Sequence, residues 1–272
     1  MTDRVKTALT IAGTDPTGGA GVQADLKTFQ EREVFGMSVM TSIVAQNTLG
    51  VQNVHHLPVS FIEEQLDSVL TDIVPDAIKS GMIATPQMME AVAHKIKDYK
   101  VPYVIDPVMV AKSGDLLMDK QSQKMIRDVL IPLATVVTPN LPETEVLLDM
   151  EIKNLAAAEK AAKIIVEELK ATAAIVTGGH FAQAPVDVLY DGENIHHFPA
   201  EFINTKHTHG TGCTFSAALT AELAKGTPLI DATKIAKQFI TDAIFYSLQL
   251  GHGNGPTNYW GYRLQSLPNR KK

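Results

Sequence analysis

A short stretch in the second half of the chain has the residue types needed to hold a negatively charged group. Residues 207–219 form a polar loop with two glycines, which runs into an apolar, alanine-rich segment expected to be helical. Backbone N–H groups at a helix N-terminus favour negative charge, and glycines let a phosphate approach the backbone closely. The pattern predicts an anion-binding loop. The alternative is a glycine-rich turn that serves only packing.

The single cysteine of the chain, Cys213, lies where this loop meets the helix. A thiol at a helix N-terminus is close to the positive end of the dipole, which lowers its pKa. We therefore predict that Cys213 is a base or a nucleophile, with a buried thiol that only packs as the alternative. A single cysteine also excludes an internal disulfide and a multi-cysteine metal site.

Other polar clusters follow apolar runs that predict buried strands. Residues 13–21 are glycine-rich but lack the spacing of a dinucleotide-binding fingerprint and the Gly-Lys-Ser/Thr of a Walker loop, so they predict a ligand loop of another kind. Gln46 and Asn47 could bind a heteroaromatic ring through paired donors and acceptors, or could form a plain turn.

Acidic and amide side chains follow two later strands. Asp106 ends one strand and is fixed by a following proline, so it could be a cation ligand or a turn cap. Asn140 and Glu143 could organise a hydrated Mg²⁺, which takes few protein oxygens. The alternative for this pair is a helix-capping box.

The bulk properties exclude several classes of protein. The chain has 272 residues, a net charge of −6 and 45% hydrophobic residues, so it can bury a large core but offers no broad basic field for nucleic acid. It has no apolar run of membrane-spanning length and no secretory signal, which predicts a cytoplasmic protein without a membrane partner. The histidine pairs 55–56 and 196–197 are interpreted as surface residues.

The order of apolar runs indicates the fold class. Strands are predicted at 8–12, 38–45, 77–82, 102–105, 134–138 and 174–177, with helices between most of them and two long helices at 212–224 and 229–248. Such alternation predicts one α/β domain over residues 1–272 with a mostly parallel sheet. Residues 186–190 and 195–198, joined at Asp191-Gly192, predict an antiparallel hairpin.

Phosphoryl transfer from a nucleotide to an alcohol fits all of these clusters together. That reaction needs in-line positioning, a cation on the phosphates, stabilisation of negative charge and a group near the attacking hydroxyl. Gly210, Thr211 and Gly212 would supply the N–H groups, and Cys213 would take the hydroxyl proton.

Several motifs, in order along nearly the whole chain, carry a resemblance to a known family. They are residues 10–15, 18–28, 46–48, 106–109, 138–143 and 209–214. The chain resembles the hydroxymethylpyrimidine/phosphomethylpyrimidine kinases of thiamine biosynthesis, in the vitamin-kinase branch of the ribokinase-like superfamily. The resemblance implies a three-layer sandwich with a mostly parallel central sheet, flanking helices and a small antiparallel hairpin, with ATP as co-substrate and Mg²⁺ as cofactor. It leaves open whether K⁺ assists.

The resemblance also implies roles for individual residues. The pyrimidine would contact Gly13, Asp25, Gln46, Met82 and Val108, and the Mg²⁺-phosphate region would contain Asp106, Asn140 and Glu143. The nucleotide would face Thr177 and Lys237. Many relatives carry lysine at the position of Thr177, where this chain departs from the pattern.

Two other functions are compatible with this fold: a pyridoxal kinase and a non-catalytic ligand sensor. Pyridoxal kinase shares the fold and the cysteine, but one branch of it that resembles these enzymes has a second cysteine where this chain has Ala111; Gln46-Asn47-Thr48 also fits the pyrimidine type. A non-catalytic ligand sensor would require a damaged anion loop or base, and none is visible. A homodimer is expected, with the hairpin near residue 190 as a plausible edge, and residues 111–115 have the composition of a flap.

Overall fold

The central element of the fold is an eight-stranded sheet. The computed structural model describes residues 4–109, 118–181 and 184–266. The sheet has the order β10-β9-β8-β7-β6-β5-β1-β2. Its strands are β1 (Thr7–Ala12), β2 (Phe35–Met40), β5 (Ala77–Ser80), β6 (Tyr103–Ile105), β7 (Val136–Val137), β8 (Ala173–Phe181), β9 (Ala184–Tyr190) and β10 (Ile195–Pro199).

Six of these strands are parallel to one another, from β2 at one edge to β8. Only β9 runs against its neighbours, because it is joined to β10 by the tight turn at Asp191-Gly192. The mostly parallel sheet and its antiparallel hairpin are therefore confirmed.

Helices cover both faces of the sheet and make three layers. They are α1 (Gly21–Glu31), α2 (Val59–Leu70), α3 (Pro86–Ile96), α4 (Lys120–Met125), α5 (Leu141–Leu148), α6 (Leu155–Glu167), α7 (Thr211–Ala224) and α8 (Leu229–Phe245). Within β6, Tyr103 and Ile105 pack with the side of α2 to α6, and Val104 packs with α7 and α8. The apolar strands have no polar face because both faces are covered. Among the described residues, no helix has the length and apolar character needed to cross a bilayer.

The predicted strand 38–45 is two strands that belong to different sheets. β2 ends at Met40, and β3 (Ser42–Asn47) pairs instead with β4 (Gly50–His56) in a separate antiparallel ribbon, which we call the small hairpin. The chain leaves the main sheet at Thr41, whose N–H still donates to Ala12 O at 3.0 Å. Because a single residue, Thr41, separates the two strands, the boundary between them is not visible in the sequence. Gln46 and Asn47 thus lie within β3. Asn47 also borders the turn at residues 48–49, where its Oδ1 accepts the Leu49 N–H at 2.9 Å.

Helix α7 sets the position of the predicted anion loop. Its small side chains, such as Ala217, Ala218 and Ala221, are fully buried and allow it to lie against the strands between α1 and α8. Its N-terminus therefore reaches the edge of the sheet where the parallel strands end. The last helix, α8, ends at Phe245 and not at Leu248 as predicted, and Gln249 has a left-handed backbone with φ of 56°.

Candidate active site

One cavity of about 820 Å³ lies at the carboxyl edge of the parallel strands. The loops after β1, β5, β6 and β7 line it, as do Thr177 and Gly178 of β8 and the N-terminus of α7. This is where ligands bind in open α/β sheets. Every predicted site residue except Asp25 and Asn47 lines this cavity: Gly13, Gln46, Met82, Asp106, Val108, Asn140, Glu143, Thr177, Gly210, Thr211, Gly212, Cys213 and Lys237. The proposed flap 111–115, with Ala111, lies outside the described residues.

The loop of residues 207–213, which we call the anion loop, is shaped by Gly210. Gly210 is the N-cap of α7 with φ of 78°, and a Cβ there would overlap the carbonyl oxygen of Gly19. Only glycine combines this conformation with so close an approach. The N–H groups of Gly212 and Cys213 lie in the first turn of α7, so they have no intrahelical acceptor. The loop therefore presents donors and the positive end of the dipole to the cavity.

The thiol of Cys213 has a raised pKa, which contradicts the sequence prediction. Burial raises it, Lys79 opposes that shift, Asp106 and Asp25 add to it, and the resulting pKa is about 12. The effect of the helix dipole, which would lower the pKa, is outweighed by burial and by the charges of these two carboxylates. With this pKa Cys213 is a neutral thiol at neutral pH, and it interacts electrostatically with the neighbouring carboxylate of Asp106.

A buried lysine lies beneath the anion loop. Lys79, in β5, is fully buried and its Nζ is 2.7 Å from Asp25 Oδ1 and 3.9 Å from Asp106 Oδ2. Burial lowers its pKa, but the charges of Asp25 and Asp106 raise it more, so the pKa of Lys79 lies above its ordinary value. The positive charge of Lys79 compensates the negative charges of Asp25 and Asp106.

Asp25 is placed differently from the sequence expectation. Its carboxylate is fully buried, where it accepts a 2.6 Å hydrogen bond from Thr10 in addition to the pair with Lys79. It supports the floor of the site and does not line the cavity. Sequence reasoning missed Lys79, although a lysine inside the apolar strand 77–80 is unusual enough to have indicated a buried partner.

Asn140 and Glu143 form a capping box at the start of α5. Asn140 accepts from the Glu143 N–H at 2.9 Å, and Glu143 Oε2 accepts from the Asn140 N–H at 3.0 Å. Burial, followed by the charge of Asp106, raises the pKa of Glu143 to about 8, while the N–H groups of Asn140 and Met109 lower it. Glu143 and Asp106 thus repel each other as carboxylates.

This donor set fits Mg²⁺. A divalent cation would favour the ionised forms of both carboxylates, and Mg²⁺ is usually held by one or two carboxylates with phosphate and water oxygens completing the shell. The described residues contain no cluster of three acidic, histidine or cysteine side chains that could hold a metal without such help.

The two ends of the cavity differ in character. At one end the small hairpin contributes Gln46 among the apolar side chains of Val44, Val51 and Val54, a combination that suits a flat ring with hydrogen-bonding edges. The three valines were missed because the sequence predicted the β9–β10 hairpin but not the small hairpin of β3 and β4.

The opposite end carries a pair of charges. Lys237 Nζ, in α8, is 2.6 Å from Asp187 Oδ2, and Asp187 Oδ1 accepts the Gly178 N–H at 2.9 Å. Thr177 precedes this glycine and forms a parallel bridge with Asn140. Asp187 fixes Lys237 at the cavity wall, and no pattern in the sequence pointed to this partner.

Asp15 and His209 join the glycine-rich loop after β1 to the anion loop. His209 Nε2 is 2.7 Å from Asp15 Oδ2, and the same carboxylate accepts from the N–H groups of Thr17, Gly19 and Ala20. Burial raises the pKa of Asp15, but the hydrogen bonds from His209 and Thr17 lower it more, and the net shift is downward. An ionised Asp15 therefore orders both loops.

A parallel sheet in three layers, with an anion loop at a helix N-terminus and a ring-sized pocket beside it, defines a ribokinase-like phosphotransferase. The comparison with family models gives the family itself: residues 15–258 match the model described as phosphomethylpyrimidine kinase. The chain belongs to this family.

Individual relatives agree with this assignment. A hydroxymethylpyrimidine/phosphomethylpyrimidine kinase of Staphylococcus aureus is 52% identical over 260 residues, with 94% of each chain covered. The ADP complex of Bacillus subtilis pyridoxal kinase has a TM-score of 0.90 at 45% identity, covering 96% of this chain and 100% of that one. The phosphomethylpyrimidine kinase of Clostridium difficile has a TM-score of 0.79 at 37% identity, covering 88% of this chain and 99% of that one.

Proposed function

We propose that this chain transfers phosphate from ATP to hydroxymethylpyrimidine, and then to its monophosphate to give the diphosphate used in thiamine biosynthesis. The observation that carries the proposal is that Gln46 and the anion loop face one cavity. A pyrimidine ring bound at Gln46 can present its hydroxymethyl group to a phosphate bound at the anion loop.

The chemistry assigned to each group follows from its position. The N–H groups of the first turn of α7 stabilise the negative charge that develops on the transferred phosphoryl group. Asp106 and Glu143 hold Mg²⁺, which neutralises phosphate charge when bound. Lys237 and Thr177 bind the nucleotide, with Lys237 held in place by Asp187.

Cys213 is proposed to accept the proton of the attacking hydroxyl. Because its own pKa is about 12, the thiol must first lose its proton, which solvent water would carry away. The neighbouring cation of Lys79 favours the thiolate by charge, and a bound Mg²⁺ would add to this effect. The hydroxyl loses its proton as the new P–O bond forms and the bond to ADP breaks.

Pyridoxal is the second candidate substrate. The observation that favours it is the likeness to Bacillus subtilis pyridoxal kinase. Both candidates are heteroaromatic rings with a hydroxymethyl arm, so Gln46 and the valines of the small hairpin could accept either. We expect pyridoxal to be a slower substrate of the same site.

The assembly and surroundings of the enzyme are part of the proposal. Apolar side chains stay exposed around the small hairpin at Ile43, Leu49 and Phe61, which supports a homodimer; the edge of the sheet at β10 is the other surface available. We propose one kinase domain, since the cavity draws on segments from residue 12 to residue 244. A reduced cysteine and the use of ATP support a cytoplasmic location.

A coupled assay of ADP release with Mg-ATP tests the function. Hydroxymethylpyrimidine should give the higher kcat/KM, and pyridoxal a lower one. Far faster turnover of pyridoxal would make the second candidate correct, and binding without turnover of either would favour a ligand sensor. Exchanging NaCl for KCl in the same assay tests the role of K⁺.

Replacement of Lys237 with alanine should weaken nucleotide binding selectively. Loss of a charge-assisted hydrogen bond costs about 1.5–3 kcal/mol, so the KM for ATP should rise roughly 10- to 100-fold while the KM for the pyrimidine stays unchanged. Lys234→Ala is the matched control, because Lys234 lies on the same helix but is 61% exposed and pairs with Asp231, which is exposed as well. An unchanged KM for ATP in Lys237→Ala would remove Lys237 from the nucleotide site.

A further inference from the structure

The small hairpin is held to the body of the protein at both of its ends. At its base, Thr14 N–H donates to Ser42 O at 2.9 Å and Val44 N–H donates to Thr14 Oγ1 at 3.0 Å. At its tip, Thr48 is bonded to a glycine-rich segment that follows α8. The tip is thus fixed by residues about two hundred positions away in the sequence.

We call residues 251–257 the strap. The N–H of Gly253 donates to Thr48 Oγ1 at 3.1 Å, and the N–H of Asn254 donates to Thr48 O at 2.9 Å. A Cβ at Gly253 would overlap the carbonyl oxygen of Thr48. The close approach therefore requires glycine at this position of the strap.

The other end of the strap is bonded to the anion loop. His209 N–H donates to Gly255 O at 3.1 Å, Thr257 N–H donates to His209 O at 3.4 Å, and His209 and Pro256 form a parallel bridge. These bonds lie immediately before Gly210. The strap therefore runs from the hairpin that covers the ring-binding end of the cavity to the loop at its phosphate-binding end.

Beyond the strap, the chain is anchored in the core. Asn258 N–H donates to Ala243 O at 2.9 Å, and the Tyr259 hydroxyl donates to Gly19 O at 2.8 Å. Both side chains are buried, with 2% and 3% exposure. A displacement of Thr48 is consequently resisted by bonds that also hold His209.

We propose that Thr48 is a positioning residue for phosphoryl transfer and acts through the strap to fix the small hairpin relative to the anion loop. The inference rests on the proposed function. The hairpin sets the place of the acceptor's hydroxymethyl arm, and the anion loop sets the place of the phosphoryl group. In-line transfer depends on the distance between them, and a misplacement of about 1 Å can cost about 100-fold in rate.

Two variants test this, each with the full-length protein. Thr48→Val keeps the side-chain shape and removes the acceptor of the Gly253 N–H, and Gly253→Ala forces Thr48 and the strap apart. Gln52→Ala is the control, because Gln52 is exposed on the same hairpin and its side chain bonds only to Gly50 O, at 2.6 Å. If Gly253→Ala does not fold, Thr48→Val decides.

The kinetic readout is the split between kcat and KM. We expect kcat to fall about tenfold or more in both variants, in line with misplaced reactants. The KM for ATP should change less than about twofold, because no described hydrogen bond joins the strap to Lys237 or Thr177, the residues proposed to bind the nucleotide. The control should match the unaltered protein. Unchanged kcat in folded Thr48→Val would overturn the inference; if the unaltered protein itself does not turn over pyrimidine, the proposed function fails instead.

Hydrogen exchange gives a readout that needs no activity. In Thr48→Val, amides of both the small hairpin and the anion loop should exchange faster, although no described hydrogen bond joins Thr48 directly to the anion loop. Faster exchange confined to the hairpin would show that the strap does not transmit the change, and would contradict the inference whatever the kinetics.

Discussion

Replacement of Cys213 with alanine is expected to lower kcat by about 100- to 10,000-fold, the range that general acid–base catalysis contributes. The KM for the pyrimidine should change little, because Gln46 and the valines of the small hairpin remain in place. The reason is the position of the thiol, in the first turn of α7 and on the wall of the cavity in which the attacking hydroxyl is proposed to bind. Steady-state kinetics with hydroxymethylpyrimidine and Mg-ATP measure both parameters.

Cys213→Ser is the matched control for this experiment. Serine keeps a small polar side chain at this position of the cavity wall, but its hydroxyl is a much poorer base than a thiolate. Intermediate turnover in the serine variant, above that of the alanine variant, is expected. Near-normal turnover in Cys213→Ala would show that the thiol only packs.

Replacement of Lys79 with methionine is expected to cost about 3–5 kcal/mol in the free energy of unfolding, the penalty for leaving a buried charge without its partner. Asp25 would remain fully buried with only Thr10 as a bonded neighbour, and Asp106 would lose its nearest cation. Urea denaturation followed by circular dichroism measures the loss.

Two further variants show whether the cost comes from the unpaired charge. Lys95→Met removes a lysine from a surface pair with Asp67, which is 55% exposed, and should change stability by less than about 1 kcal/mol. The double variant Lys79→Met with Asp25→Leu removes both buried charges and should recover most of the lost stability. A single variant as stable as the unaltered protein would contradict a structural role for the buried pair.

The parts of the fold that follow from the alternation of apolar and polar segments could be predicted from the sequence. The apolar strand runs followed by polar loops and helices indicated the parallel sheet, and they placed Asp106, Asn140 and Glu143 at one edge. The boundary between β2 and β3 was missed because a single residue, Thr41, separates two apolar stretches. The hairpin's contribution of Val51 and Val54 to the cavity was lost with it.

The site residues that escaped prediction depend on contacts distant in sequence. Asp187 is defined by Lys237, fifty residues later, and no periodicity connects them. The pKa of Cys213 was predicted in the wrong direction because its cause is burial beside Asp106 and Asp25, which only the folded chain brings together. The capping box at Asn140 and Glu143 was foreseen as the alternative to a Mg²⁺ site, and the carboxylate of Asp106 beside that of Glu143 makes both roles compatible.

In the proposed function, the enzyme phosphorylates both hydroxymethylpyrimidine and its monophosphate in the same cavity. The most direct test is to incubate the protein with the monophosphate and Mg-ATP and to follow the products by phosphorus NMR. The account predicts a pair of coupled diphosphate resonances from the pyrimidine product, formed together with ADP. Persistence of the monophosphate under conditions in which pyridoxal is converted rapidly to its phosphate would contradict it.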